Sequence, residues 1–294
     1  TGQISNLRQS IKKIKFIKID LHKDKNKIYK IINKYKVNNI FHMAGLADIV
    51  PSIVSPETYF NSNVVGTFNI LEAAKKFKVK KFIYAASASC YGIPDKYPTN
   101  EKSKIKTEYP YALTKYIGEK LVLDWAKIYN MNNISLRFFN VYGPRSRTTG
   151  AYGAVFGVFL AQKVANKPLT IVGNGKQTRD FIHVTDVVAA MIKSIKCKKS
   201  GLAYNLGSGK ETSINYLANL VSYRKIHIPK RPGEPDITHA NIKKAASKLR
   251  WKPKISLEEG LNNVLKDILY WKNAPLWTKS KIKLATKSWF KYLK

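Results

Sequence analysis

Short apolar runs and longer amphipathic ones alternate along the first half of the chain. Lys15-Phe16-Ile17-Lys18-Ile19 switches polar and apolar positions before Asp20, a strand signal, and residues 24–35 carry helical spacing. Residues 39–43 form a short apolar run into Ala44-Gly45, residues 59–77 read as a long helix, and Lys81-Phe82-Ile83-Tyr84-Ala85 reads as a buried strand. A second long helix is expected over 111–129 and another strand over 134–138. Such alternation predicts a parallel sheet covered by helices on both faces, with ligands bound beyond the carboxyl ends of the strands. Ala44-Gly45, Ser87, Ser89 and Asn140 fall at those ends. From about residue 143 the pattern becomes irregular. Glycine, proline and aromatic residues cluster over 143–157 and 229–235, and helices are expected over 186–194, 213–221, 242–249 and 257–271.

Composition narrows this picture. At 294 residues the chain is long enough for a large α/β domain with a lobe grafted on, and 44% hydrophobic residues suit a globular core. No apolar run is long enough for a membrane span, and residues 1–10 hold no signal-peptide core. Cys90 and Cys197 match no metal-ligand spacing; they are expected as free thiols in a reducing cytoplasm. The net charge of +35 raises nucleic-acid or anionic-membrane binding. Only eight of the 53 basic residues are arginine, however, and the lysines are scattered with no nucleic-acid motif beside them. Compositional bias is the preferred explanation, and neither nucleic acid nor membrane is expected as a partner.

Candidate chemistry begins with Tyr111 and Lys115, one helical turn apart on one face. An ordinary phenol holds its proton too tightly to act as a base at neutral pH, and a nearby cation is expected to lower it. Alone the pair is weak, since a surface tyrosine packed on a lysine stem has the same spacing. Ser87 and Ser89 at a strand end offer hydroxyls to the oxygen that the tyrosine would deprotonate; ordinary turn chemistry is their plain alternative. Arg179 in Arg179-Asp180-Phe181-Ile182-His183 suits bidentate phosphate contact, against the alternative of a buried Arg–Asp pair. Arg231 and Glu234 in Arg231-Pro232-Gly233-Glu234-Pro235 offer a second guanidinium and a carboxylate, against a plain turn. His42 and His183 read as structural, and no metal is expected.

Six segments occur in a telling order: His42-Met43-Ala44-Gly45, Asn63-Val64-Val65-Gly66-Thr67, Ala86-Ser87-Ala88-Ser89-Cys90-Tyr91-Gly92, Tyr109-Pro110-Tyr111-Ala112-Leu113-Thr114-Lys115, Arg137-Phe138-Phe139-Asn140-Val141-Tyr142-Gly143-Pro144 and Arg179-Asp180-Phe181-Ile182-His183-Val184-Thr185-Asp186. The series resembles the NAD-dependent epimerase/dehydratase family of extended short-chain dehydrogenases/reductases, and runs over residues 14–271. The resemblance implies a Rossmann-like, doubly wound α/β fold in which residues 1–150 bind NAD. Residues 151–294 are then mainly a smaller α/β substrate lobe, with some segments returning to the first domain. The first βαβ portion and its glycine-rich loop are missing, so the chain is expected to be N-terminally truncated and to bind NAD poorly as it stands.

The resemblance also implies roles. Ser87, Tyr111 and Lys115 match the catalytic positions. Asp20 and Leu21 match the adenine end of NAD, while Ala44, Gly45 and Asn63 match positions beside its phosphates and ribose. Lys115 also matches the nicotinamide ribose contact, and Phe139 the nicotinamide side. Asn140, Arg179 and Arg231 match the substrate diphosphate, Thr170 and Val172 the uracil strand, and Glu234 the nucleotide ribose. Thr238 falls where a bulky tyrosine narrows some 4-epimerase pockets, which implies room for an N-acetyl group. Ala88 and Ser89 replace the Asp-Glu pair of the 4,6-dehydratases, and Ala47 replaces a lysine that some epimerases place near the cofactor. The implied activity is 4-epimerisation of a UDP-hexose or UDP-N-acetylhexosamine in the cytoplasm, by a homodimer paired through the helices at 59–77 and 111–129. UDP-glucuronate decarboxylation, keto-sugar reduction and a non-catalytic binding protein are the alternatives.

Overall fold

The computed structural model describes residues 2–146 and 155–293. Its strands in chain order are β1 (Asn39–His42), β2 (Lys81–Ser87), β3 (Asn133–Phe138), β4 (Asn140–Tyr142), β5 (Leu169–Val172), β6 (Thr178–Arg179), β7 (Phe181–His183), β8 (Leu202–Leu206), β9 (Thr212–Ser213) and β10 (Lys225–Ile228). Among the described residues the main sheet runs β1-β2-β3-β8 and is parallel throughout. Three short pairs accompany it, β4 with β7, β5 with β10 and β6 with β9, the last antiparallel.

The side-chain period of two explains why β2 is buried along its whole length. Phe82, Tyr84 and Ala86 point into one core with Ile28 and Ile32 of the Lys25–Lys34 helix and Leu71 and Ala74 of the Gly66–Lys76 helix. Ile83 points the other way, towards Val187 and Ala190 of the Val184–Ile195 helix and the ring of Trp251. Both faces are therefore covered, as a parallel sheet requires. A separate core joins β5 and β10 to the Val155–Val164, Ile214–Val221 and Leu257–Lys266 helices. β8 comes from the second half of the sequence yet completes the main sheet.

Two expectations need correction. Residues 15–19 form no strand; Phe16 and Ile17 are exposed, and no described strand lies beside them to take their backbone hydrogen bonds. The helix expected over 59–77 is not a uniform α-helix. Pro56–Phe60 is α-helical, Asn61–Val65 is a π turn, and Gly66–Lys76 resumes the α-helix. The domain boundary expected at 150/151 and part of the 143–157 cluster lie outside the described residues. No helix of the described residues is long and apolar enough to cross a membrane.

Candidate active site

Tyr111 and Lys115 sit on the Pro110–Ile128 helix. Tyr109 precedes it in extended conformation and Pro110 opens it, a position where the missing N–H costs nothing. Tyr111, Lys115, Gly118, Glu119 and Val122 make its buried face. Gly118 permits close approach: a Cβ there would stand 2.5 Å from the Tyr84 hydroxyl and 2.9 Å from the Asn63 carbonyl. That contact seats the helix against β2 and against the π turn. Such turns recur at functional sites because they re-aim a side chain. Here the turn turns Asn63 inwards, where Nδ2 donates to the Leu46 carbonyl and to Thr114 Oγ1, both at 3.0 Å, and Oδ1 accepts from the Leu46 amide at 2.7 Å.

Ser87 ends β2. Its hydroxyl donates to Ser89 Oγ at 3.0 Å and accepts from the Ser89 amide at 3.1 Å, so the two side chains form one small network. Both hydroxyls line the cleft with the Tyr111 phenol and act to lower its pKa. Tyr109 stacks on Tyr111 with ring centroids 6.2 Å apart. Burial raises the Tyr111 pKa, and the two serine hydroxyls only partly offset it. Lys115 moves the opposite way, to about 7, because its ammonium is desolvated and Glu119 restores only part of the loss. The expected lowering of Tyr111 by its lysine is thus corrected: removal of the phenol from water dominates, and what opposes it comes from Ser87 and Ser89. The ammonium lies 4.2 Å from the centre of the Tyr84 ring.

A cleft of about 770 Å³ opens on Ser87, Ser89, Tyr109, Tyr111, Phe139 and Asn140 from the first half of the chain, and on Thr170, Val172, Arg179, Arg231, Glu234 and Thr238 from the second. Its size suits a ligand of nucleotide-sugar dimensions. Glu234 sits between the two arginines. Its Oε1 accepts from Arg179 Nη2 at 2.8 Å, and its Oε2 is 2.9 Å from Arg231 Nε. The feared Arg179–Asp180 pair does not form. Asp180 is fully buried, and its carboxylate accepts from the amides of Ser208, Gly209 and Ala240 and from the Ser208 hydroxyl. Burial still raises its pKa. Asn140 donates to Thr238 Oγ1 at 3.0 Å, so the two expected substrate residues touch each other. Thr170 is clamped by Gln162, which bonds both its amide and its hydroxyl. Phe139 packs among Cys90, Tyr91 and Ala240.

A model for GDP-mannose 4,6 dehydratase matches residues 1–264. The chain belongs to the NAD-dependent epimerase/dehydratase family. It is 32% identical to the UDP-glucuronate 4-epimerase of Thermodesulfobacterium geofontis, over 90% of this chain and 81% of that protein. It is 30% identical to the UDP-glucose 4-epimerase of Mycolicibacterium smegmatis, over 89% and 85%. Among solved structures, the UDP-glucose 4-epimerase of Thermotoga maritima with UDP-glucose superposes with a TM-score of 0.85 at 29% identity, covering 90% of this chain and 87% of that one. The UDP-glucuronic acid 4-epimerase of Bacillus cereus, in complex with UDP-glucuronic acid and NAD, gives 0.83 at 29% identity, covering 91% and 86%. This family member is an enzyme of the epimerase class, and neighbouring structures such as the Bacillus cereus enzyme hold NAD.

The residues around Gly45 fit the ribose end of that cofactor. A Cβ at Gly45 would stand 3.0 Å from Asn63 Oδ1 and 3.5 Å from Lys115 Nζ, so glycine leaves bare backbone beside the ammonium. Among the described residues no acceptor engages Lys115 Nζ, which keeps its three donors for a ligand. Lys115, Asn63 and Ala44 lie outside the lining of the cleft, behind Tyr111 and Gly45. Asp20 and Leu21 lie apart from it as well. The Asp20 carboxylate accepts from the amides of His22 and Lys23 in its own turn, and the Leu21 carbonyl accepts from Asn69. His42 serves the framework: Nε2 is 2.8 Å from Thr67 Oγ1, and burial takes its pKa down to about 3. His183 caps the Val184–Ile195 helix through the Thr185 amide.

Sequence reasoning missed Tyr109, Trp289 and the buried pair behind the site. Arg137 meets Glu119 at 2.6 Å, and Glu119 also accepts from Ser135. Tyr109 and Arg137 stood inside quoted motifs, where flanking positions carry no chemical signature of their own. Trp289 had no signal at all, because it lies beyond every matched segment.

Proposed function

We propose that the protein is a UDP-sugar 4-epimerase, inverting C4 of a UDP-hexose or UDP-N-acetylhexosamine through a 4-keto sugar. The observation that carries this reading is one cleft that gathers the Tyr111 phenol, the Ser87 and Ser89 hydroxyls, Arg179 and Arg231. NAD, when bound, supplies the hydride acceptor and donor. Tyr111 takes the proton from the sugar 4-hydroxyl and later returns it. Ser87 steadies the 4-oxygen, and Lys115 donates to the ribose hydroxyls of the cofactor. Ala44, Gly45 and Asn63 border that ribose, Phe139 borders the nicotinamide, and Asp20 and Leu21 serve its adenine end. Arg179, Arg231 and Asn140 take the diphosphate of the substrate, Thr170 and Val172 the uracil, and Glu234 the ribose. Residues 1–150 are assigned to the cofactor and 151–294 mainly to the sugar nucleotide.

Ala88 and Ser89 favour epimerisation over dehydration, because neither supplies the acid or base that loss of water requires. Thr238 is small and lines the cleft, which favours acceptance of an N-acetyl group. The working enzyme is assigned to the cytoplasm, as a homodimer paired through its two long helices. The test is incubation with NAD and UDP-glucose, UDP-N-acetylglucosamine or UDP-glucuronate, followed by proton NMR. The expected product is the C4 epimer, with the N-acetylated substrate turned over. Carbon dioxide release or stoichiometric NADPH consumption overturns the assignment, and turnover of UDP-glucose alone overturns the N-acetyl reading.

A further inference from the structure

The last helix of the described chain, Lys287–Tyr292, brings Trp289 to the cleft. This tryptophan is only 3% exposed, although the other positions of its short helix are exposed or half-buried. Its indole N–H donates to the Pro232 carbonyl at 2.6 Å, inside the turn that carries Arg231 and Glu234. Its ring lies 5.1 Å from the centre of the Arg231 guanidinium, within cation–π range. Its other side meets Tyr109 at 6.4 Å, and Tyr109 stacks on Tyr111. The helix also packs on the Ile49–Val54 helix of the first half. One side chain therefore ties the arginine-bearing turn to both the tyrosine pair and the first domain.

We propose that Trp289 is a positioning residue of the substrate cleft, holding the Arg231 guanidinium in place for the phosphates of a nucleoside diphosphate. Three features support this beyond simple packing. Glu234 is shared between Arg179 and Arg231, so charge pairing alone does not decide where Arg231 points. Arg231 lies on a turn, at Arg231-Pro232-Gly233, where no strand or helix holds it. The indole grips that turn twice, by a hydrogen bond to its backbone and by stacking on its side chain, which lowers the entropy cost of presenting the cation to a ligand.

The inference rests on the UDP-sugar reading, and calorimetric titration with UDP separates the two. Trp289→Ala is expected to weaken UDP binding about tenfold, the scale of a desolvated cation–π contact. Trp289→Phe, which keeps an aromatic face but loses the N–H, is expected to fall between the two and guards against misfolding of the alanine variant. The double variant Arg231→Ala with Trp289→Ala is expected to bind no more weakly than Arg231→Ala alone, within about twofold, because Trp289 acts through Arg231. Additive losses, or unchanged UDP affinity in both Trp289 variants, overturn the proposal. No UDP binding by the unaltered protein overturns the substrate reading itself.

Discussion

On the wall of the cleft built by the first half of the chain, Tyr111, with Lys115 behind it, is buried without an ion pair; on the wall built by the second half, Arg179 and Arg231 share the Glu234 carboxylate. Burial dominates there, raising the phenol against Ser87 and Ser89 and taking the lysine to about 7 against Glu119. On the second wall one carboxylate pairs with both guanidiniums, with a net positive charge left over. The difference separates proton handling from anion holding. Desolvated, poorly compensated groups are poised to change protonation state, whereas paired guanidiniums keep their charge and offer geometry.

The sharpest way to break this comparison is to remove the group that moves protons. Tyr111→Phe is expected to lower turnover about a hundred- to ten-thousand-fold while UDP affinity stays within about twofold. A parallel loss of UDP binding would mean that the two walls are not separate in function. Removing a holding group should do the reverse. Arg179→Ala is expected to raise KM about ten- to a hundredfold, the range of a charge-assisted hydrogen bond, with kcat little changed. A collapse of kcat at constant KM would place Arg179 with the proton-handling groups instead.

The smallest effect is on stability. The Lys115 ammonium has an ordinary pKa of 10.5 and one of about 7 in the fold. Between those values the unfolded chain binds more protons, so stability rises with pH. Below about pH 7 the whole cost of burying the charge is present. Lys115→Met removes this titration, and its Tm is expected to exceed that of the parent by roughly 5 °C at pH 7, with the gap closing towards pH 10. A gap that stays constant over this range in thermal melts without ligand would show that Lys115 is not desolvated as described.

Much of the fold was legible because burial writes a period into sequence. β2 could be read as fully buried, and its two-sided core follows from residues such as Tyr84 and Ile83 facing opposite ways. The failure at 15–19 has the same root: alternation reports what a strand would bury but not whether a neighbour exists to pair with it. The π turn at Asn61–Val65 was invisible for another reason. Apolar spacing over 59–77 reads the same for a helix with or without a single widened turn, and the turn holds Asn63 buried. Within the cleft, Arg231 and Glu234 were identified as a pair, but their sharing with Arg179 spans more than fifty residues of chain and left no local trace.

The sequence by itself determined the alternation of strands and helices, the Tyr111–Lys115 spacing, and the family, since each is written in neighbouring residues or in an ordered set of short motifs. Only the tertiary structure decided that Glu234 stands between Arg179 and Arg231, that Asp180 turns to backbone amides rather than to Arg179, that burial raises Tyr111 despite its lysine, and that Trp289 reaches the cleft from the end of the described chain. Periodicity and spacing act over a few residues. Ion-pair choice and desolvation depend on what distant segments bring within a few ångströms, and that is settled only when the chain has packed.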